Sequence, residues 1–256
     1  MCYDDQARPP APPGTSVPAQ GADIVLTASD GNRFAAYVAF PAKPSGAQII
    51  IYPDVRGLHQ FYKELALRFA EVGITALAFD YFGRTAGLTS RDESFDNMPH
   101  VKQIGLPTLW QDVQAGIAYL HEKAGKGTGM FVIGFCMGGT LTLFSGTNSS
   151  FDFAGLIPFY AGLTRDFGGT GTALDNADKV VYPVLALFGG ADQGIPESAV
   201  KQLDDRLDAA KVQHTVVIYP GAPHSFFDKR ATDYAEASSD AWQRALDFIR
   251  AHQRTA

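Results

Sequence analysis

Three side chains in the sequence could together perform nucleophilic catalysis: those of Cys136, Asp192 and His224. A thiolate attacks carbonyl carbons, an imidazole takes the thiol proton, and a carboxylate fixes the imidazole tautomer and stabilises its protonated form. Each of the three follows an apolar run that is typical of a buried strand. Because parallel strands end at one edge of a sheet, we expect the fold to bring these remote residues together.

Cys136 lies in a Gly-x-Cys-x-Gly-Gly segment, Gly134–Gly139, between an apolar run and a predicted helix. This is the pattern of a nucleophile elbow with cysteine in the place of the usual serine. The turn is so tight that the nucleophile takes a strained backbone conformation, and side chains at Gly134 and Gly138 would collide with the neighbouring strand and helix. The thiol would then lie near the N-terminus of the next helix, whose dipole favours a thiolate.

A nucleophile at this position also needs hydrogen-bond donors for the oxyanion that forms during attack. We expect the backbone N–H of Met137 to supply one of them. The second should come from the loop after the strand that ends at Tyr52, and we assign it to the N–H of Val55. Loss of one such donor typically lowers the rate by about 10²–10³-fold.

Each of these residues also has an interpretation other than catalysis. Cys136 could be a small buried hydrophobe or an oxidant-sensing thiol, and its glycine-rich turn could hold a phosphate. Asp192 could cap the helix that begins near Pro196, and His224 could bond to backbone within its turn. The sequence has neither a Gly-Lys-Ser/Thr ending nor a Gly-x-Gly-x-x-Gly motif, which disfavours the phosphate site. The three residues in the order nucleophile, acid, histidine favour catalysis.

The elements that must position these residues follow from the apolar periodicity. Strands are predicted over 24–28, 34–40, 47–52, 74–79, 130–135, 153–160, 183–188 and 213–219, and helices over 61–72, 107–125, 140–144, 198–211 and 231–252. The first two strands are joined by a hairpin turn at 29–32 and form an antiparallel edge. Strand and helix alternate from residue 47 onwards. We therefore predict an α/β fold, with a mostly parallel sheet covered by helices on both faces.

The proline-rich residues 1–20 are expected to be a flexible N-terminal segment, and residues 21–256 a single domain. A chain of 256 residues, 46% of them hydrophobic, can bury one large core. The long loops at 81–106 and 161–179 are expected to shape the substrate pocket.

The composition excludes several classes of function. The net charge of -6, without any basic run, argues against a nucleic-acid partner. No apolar stretch approaches the roughly 20 residues of a membrane span, and the N-terminus lacks the features of a signal peptide. Only two cysteines occur, Cys2 in the N-terminal segment and Cys136 in the elbow, so we expect no structural disulfide, an inert Cys2 and a cytoplasmic protein. The histidine spacing suggests no metal site.

With these motifs the chain resembles the dienelactone hydrolase (carboxymethylenebutenolidase-like) family of the α/β-hydrolase fold over about residues 20–252. The resemblance is carried by Gly134–Gly139, by Gly190-Ala191-Asp192, and by the segment 221–226 around His224. It implies hydrolysis of small esters or enol-lactones through an acyl-enzyme on Cys136, with no metal or organic cofactor. The alternative is a noncatalytic protein of the same fold that binds a small ligand. The sequence leaves monomer and dimer equally open.

The resemblance also implies roles for several charged residues. Asp54 occupies the position of a carboxylate, usually glutamate, that interacts with the resting thiol. Arg84 matches one of two arginines that hold a substrate carboxylate in the family enzyme acting on dienelactone. The second position is Asp228 here, so either Arg230 substitutes from a shifted loop or the substrate is not dienelactone. Arg56 could be a further anion contact or a solvated surface charge.

Overall fold

The structure, a computed structural model, describes residues 5–14, 16–228 and 230–254. Its strands are β1 (Ala19–Thr27), β2 (Arg33–Pro41), β3 (Ala47–Tyr52), β4 (Thr75–Phe79), β5 (Gly129–Phe135), β6 (Phe153–Phe159), β7 (Val184–Gly189) and β8 (His214–Tyr219). Its α-helices are α1 (Gln60–Glu71), α2 (Gly83–Ala86), α3 (Met98–Val101), α4 (Leu106–Ala124), α5 (Met137–Ser145), α6 (Glu197–Ala209) and α7 (Ala235–His252). Two short 3₁₀ helices span Ser149–Phe151 and Leu174–Lys179.

The strands form one sheet in the order β1-β2-β4-β3-β5-β6-β7-β8. β1 pairs with β2, and β2 with β4, in antiparallel register, whereas the remaining pairs are parallel. The predicted antiparallel edge and mostly parallel sheet are therefore confirmed. β5 lies in the middle of the sheet, so the residue that follows it emerges at the centre of the edge where the parallel strands end.

Both faces of the sheet are covered. Every residue of β3, β4, β5, β6 and β7 is buried. Since successive side chains of a strand point to opposite faces, complete burial requires helices on both of them. This explains why these strands read as continuous apolar runs instead of alternating patterns, and it confirms the predicted α/β architecture with helices on both faces of the sheet.

Proline and glycine in the sequence mark the two ends of helix α4. α4 has Pro107 in its first turn, where a missing N–H costs nothing, and it ends at Gly125, whose φ of 72° suits glycine. β3 has the boundaries that we predicted. β1 begins at Ala19, before the predicted strand and inside the segment expected to be flexible, because backbone pairing with β2 continues as far as Pro41.

Two further elements differ from the prediction. α7 begins at Ala235 instead of residue 231, because the preceding residues form successive turns in which Ala231 N–H donates to the Asp228 carbonyl (3.1 Å). The predicted loop at 81–106 contains two one-turn helices, α2 and α3.

The N-terminal segment lies against the folded chain. The indole N–H of Trp242 donates to the carbonyl oxygen of Pro10 (3.0 Å), and Val17 N–H donates to the carbonyl of Glu71 (2.8 Å). Cys2, predicted to be inert, lies outside the described residues. Among the helices described, none has the length and apolar character that would let it cross a membrane.

Candidate active site

Cys136 occupies the turn between β5 and α5 with a left-handed backbone conformation, φ 56° and ψ −115°. A non-glycine residue there is strained, and the surroundings must impose the conformation. Two hydrogen bonds hold the turn: Cys136 N–H donates to the carbonyl of Phe159 (3.1 Å), and the Cys136 carbonyl accepts from Thr140 N–H (3.1 Å). The thiol therefore lies at the N-cap of α5, as the elbow pattern predicts.

The flanking glycines are required by close packing. A Cβ atom at Gly134 would overlap the carbonyl oxygen of Gly138 and the hydroxyl of Thr142. A Cβ atom at Gly138 would overlap the carbonyl oxygens of Tyr52 and Pro53. Both collisions are with the neighbouring strand end or helix, as we predicted from the tightness of the turn.

His224 and Asp192 form a short hydrogen bond, 2.6 Å between Nδ1 and Oδ2. The Asp192 side chain is buried (2% exposed), and its second oxygen accepts from Gly194 N–H (2.8 Å). The His224 side chain is 32% exposed. Because Nδ1 is bonded to Asp192, Nε2 is the imidazole nitrogen that can accept and donate the proton of a reacting group.

The two loops that carry these residues are joined through their backbones. Ala191 N–H donates to the Ala222 carbonyl (2.9 Å), and Gly190 N–H donates to the Tyr219 carbonyl (2.8 Å). Asp192 does not cap α6, whose N-cap is Pro196 without a side-chain hydrogen bond. The structural interpretation of Asp192 as a helix cap is therefore wrong.

A cavity of about 1010 Å³ brings the predicted residues together. Its wall includes Cys136, Asp192, His224, Met137 and Val55. The loops after β3, β5, β7 and β8 thus meet at one edge of the sheet, as the order of the strands requires.

The loop that carries Val55 is held by its neighbours. Asp54 is fully buried; its carboxylate accepts from Arg56 N–H (2.9 Å), and its own N–H donates to the hydroxyl of Tyr62 (2.9 Å). The hydroxyl of Tyr81 donates to the Pro53 carbonyl (2.7 Å). These bonds fix the backbone on both sides of Val55, which is what a preorganised oxyanion donor needs.

Asp54 is not one of the residues that line the cavity. Its expected effect on the thiol would therefore come from a buried position beneath the cavity surface. Burial raises the pKa of Tyr81 well above its ordinary value, and the charges of Asp54 and Cys136 contribute to that rise. Both groups are therefore near one tyrosine. A direct bond between Asp54 and the thiol stays a prediction.

His59, which follows the Val55 loop, gives the fold a dependence on pH. Burial and the positive charge of Arg56 lower the pKa of His59 to about 2, and they outweigh the Asp54 carboxylate, which lies 3.9 Å from the Nε2 atom of His59. The unfolded chain binds a proton near pH 6.5 that the folded chain does not, so stability is lost as the pH falls below 6.5. We expect this residue to lower the free energy of unfolding by about 2 kcal/mol between pH 7.5 and pH 5.

Urea denaturation of the His59→Asn variant at the two pH values measures that loss. Asparagine keeps a polar cap for α1 but does not titrate, so the variant should lose about 2 kcal/mol less than the wild type over this interval. His252→Asn, at a partly exposed position near the end of α7, is the control. Equal pH dependence in wild type and His59→Asn would contradict the assignment.

The predicted substrate cations lie elsewhere. Arg84 forms ion pairs with Asp30 and Asp112 and is not part of the cavity wall. Arg230 pairs with Asp233 (3.1 Å) and is also absent from the wall. Neither arginine lies on the wall of the cavity that Cys136 lines, and a role of Arg84 or Arg230 in substrate binding stays a prediction.

Two further charged residues, Arg56 and Asp228, are buried, and this overturns one interpretation of Arg56. The Arg56 side chain is 3% exposed and donates to the Asp5 carboxylate and the Arg91 carbonyl, so it is not a solvated surface charge. Asp228 is also buried, and its carboxylate accepts from the hydroxyl of Tyr160 (2.8 Å). Burial of an acid at the second arginine position excludes a cation clamp formed there.

The loops at 81–106 and 161–179 both reach the cavity, as predicted. They contribute residues that the sequence analysis did not identify individually: Met98, Val101, Lys102, Ile104, Gly162, Leu163, Thr164, Arg165, Asp166, Phe167 and Gly168. Loop conformation is not encoded in periodicity, and only the length of the loops signalled their role. No group of three or more histidine, cysteine or acidic side chains suited to a metal ion occurs in the part of the chain that the structure describes.

Known proteins resemble this chain over most of its length. "Putative carboxymethylenebutenolidase" of Methylorubrum extorquens is 30% identical over 228 residues, which cover 84% of this chain and 76% of that protein. The protein of the same name from Salmonella typhimurium is 28% identical over 256 residues, covering 95% and 93% of the two chains.

Solved structures share the fold. The crystal structure of a putative dienelactone hydrolase from Klebsiella pneumoniae superposes with a TM-score of 0.80 at 23% identity, covering 91% of this chain and 99% of that one. A dienelactone hydrolase-like promiscuous phosphotriesterase, P91, from metagenomic libraries gives a TM-score of 0.75 at 21% identity, covering 92% and 99%. The model of the dienelactone hydrolase family matches residues 34–253. The chain therefore belongs to the dienelactone hydrolase family.

Proposed function

We propose that this protein hydrolyses small carboxylic esters or enol-lactones through an acyl-enzyme on Cys136. The observation that carries the proposal is the hydrogen bond between Asp192 and His224, made at the wall of the cavity that Cys136 also lines. A buried carboxylate on Nδ1 of a partly exposed imidazole favours the protonated ring. Because Cys136 lines the same cavity from a helix N-cap, that arrangement supports the proposal of a thiolate–imidazolium pair.

The first half-reaction forms a thioester. The Cys136 thiolate attacks the carbonyl carbon, the C–S bond forms, and the π electrons of the carbonyl move to its oxygen. The N–H groups of Met137 and Val55 stabilise this oxyanion. The C–O bond of the leaving alcohol then breaks as the His224 imidazolium gives up its proton to the leaving oxygen; in a lactone this oxygen stays attached to the acyl group.

The second half-reaction consumes one water molecule. Neutral His224 removes a proton from the water, the hydroxide oxygen attacks the thioester carbon, and a second oxyanion forms in the same position. Collapse of this intermediate breaks the C–S bond and releases the carboxylic acid. The thiolate–imidazolium pair is restored, so no metal or organic cofactor is needed. A thiol kept reduced is required throughout, and we propose a cytoplasmic location.

Alkylation by iodoacetamide tests the proposed pair. In a Cys2→Ser background only Cys136 can react, and the thiolate is the reacting form. At pH 6 an ordinary thiol is less than about 1% ionised, so we expect His224→Ala to slow alkylation at least tenfold. Asp192→Asn should fall between the wild type and His224→Ala, because the imidazolium loses a charged partner but keeps its position.

The same rates measured with His121→Ala, a histidine remote from the cavity, serve as the control. A noncatalytic ligand-binding protein would show alkylation that is independent of His224 and no turnover of p-nitrophenyl acetate. Together these two results would refute the proposed hydrolase and favour a ligand-binding protein of the same fold.

A further inference from the structure

We propose that the preferred substrates are uncharged esters or lactones with an extended apolar acyl chain, a conclusion that rests on the proposed hydrolase function. The first observation is the size of the cavity. Its volume of about 1010 Å³ lies at the upper end of the range of roughly 300–1,000 Å³ typical of sites for drug-sized ligands. A small lactone would leave most of this space to water.

The second observation is the apolar character of the wall. Apolar side chains reach the cavity from α3 and the residues after it, from the loop after β6, and from the loop before α6. They are Met98, Val101, Ile104, Leu163, Phe167 and Ile195. Met98 is 46% exposed and is one of four large hydrophobic side chains that the described part of the chain leaves exposed. An acyl chain in the cavity would cover apolar surface that is now in contact with water.

The third observation is the absence of the cation clamp from the cavity. Arg84 is held by Asp30 and Asp112, outside the cavity wall. At the other position Asp228 is buried and accepts from the hydroxyl of Tyr160, whose ring centroid lies 4.9 Å from that of His224. Asp228 and His224 therefore contact the same tyrosine side chain. This arrangement disfavours a substrate carboxylate at that end.

Two cations, Lys102 and Arg165, do line the cavity. Their contribution to substrate binding can be compared with that of buried methylene groups. Both are exposed, and an exposed ion pair changes binding by about fivefold or less. Asp166, on the same wall, opposes even that gain. Burial of one methylene group strengthens binding by roughly fourfold, so four of them outweigh an exposed ion pair by more than tenfold. Chain length therefore governs the preference more than charge does.

A homologous series of esters tests this preference. We expect kcat/KM, normalised to the hydroxide-catalysed rate of each ester, to rise roughly fourfold per methylene from p-nitrophenyl acetate through butyrate to hexanoate. Mono-p-nitrophenyl adipate has the same chain length as the hexanoate but carries a terminal carboxylate. It should react more slowly than the hexanoate.

Matched variants locate the effect in the cavity. Met98→Ser should reduce the gain per methylene, whereas Val181→Ser should leave it unchanged, since Val181 is exposed but lies outside the cavity wall. A flat series would overturn the preference for an apolar chain. Adipate reacting faster than hexanoate would overturn it too, and would assign Lys102 and Arg165 to a substrate carboxylate. Failure of every ester to react faster than with Cys136→Ala would instead refute the hydrolase function itself.

Discussion

Replacing Cys136 by alanine should lower kcat for p-nitrophenyl acetate by at least about 10³-fold while the protein stays folded. Alanine removes the nucleophile but adds no atom to the turn, and it meets the same backbone strain at φ 56°. Steady-state kinetics with purified protein measure the loss, and circular dichroism spectra establish that the fold is retained. Wild-type activity in this variant would end the proposal of an acyl-enzyme on Cys136.

Serine at the same position tests whether an oxygen nucleophile, which is harder to deprotonate than a thiol, can replace Cys136. Cys136→Ser keeps a hydroxyl in the elbow, but an alcohol is far less acidic than a thiol and is harder for His224 to deprotonate. We expect its activity to lie well below that of the wild type. Cys2→Ala is the control, since a cysteine outside the proposed site should not affect turnover.

Replacing Gly138 by alanine should have the largest effect on stability, a loss of about 3 kcal/mol in the free energy of unfolding. The added methyl group would overlap the carbonyl oxygens of Tyr52 and Pro53, and backbone atoms of a central strand end cannot rotate away as a side chain can. The first turn of α5 must therefore shift, and with it the N–H of Met137. Urea denaturation measures the stability, and kcat of the folded fraction should also fall.

Gly105→Ala provides the comparison for that variant. A Cβ atom at Gly105 would meet only the Thr108 hydroxyl, at 3.5 Å, and the residue has an ordinary extended conformation. Its cost should stay below about 1 kcal/mol, the usual range for a helix N-cap. Equal stability of the Gly138→Ala and wild-type proteins would show that the elbow tolerates a side chain there.

The sequence was most informative where local rules decide the structure. The apolar run of β3 is bounded by a glycine-containing loop and a proline, and its limits were predicted correctly because burial on both faces leaves no other interpretation. The glycines around Cys136 predicted close packing because the turn from strand to helix is too tight for side chains there. The start of β1 was missed, since an edge strand can pair through its backbone whatever its side chains are.

Side-chain partners that are distant in sequence could not be predicted. Arg84 matches the family position, but its guanidinium is held by Asp30 and Asp112, which lie 54 and 28 residues away. No local pattern reveals such a pairing. The cavity residues Lys102 and Arg165 belong to loops, and their positions depend on how those loops pack against the sheet.

The attachment of Pro10 to Trp242 has a consequence for how the protein is made. The two residues are 232 positions apart, so Pro10 leaves the ribosome long before its anchor is translated. At usual rates of translation the interval is roughly ten to fifty seconds. A product that lacks α7 would therefore lose the anchor of Pro10, and faster proteolysis around Pro10 would report the absence of that helix, although Asp5 keeps its ion pair with Arg56.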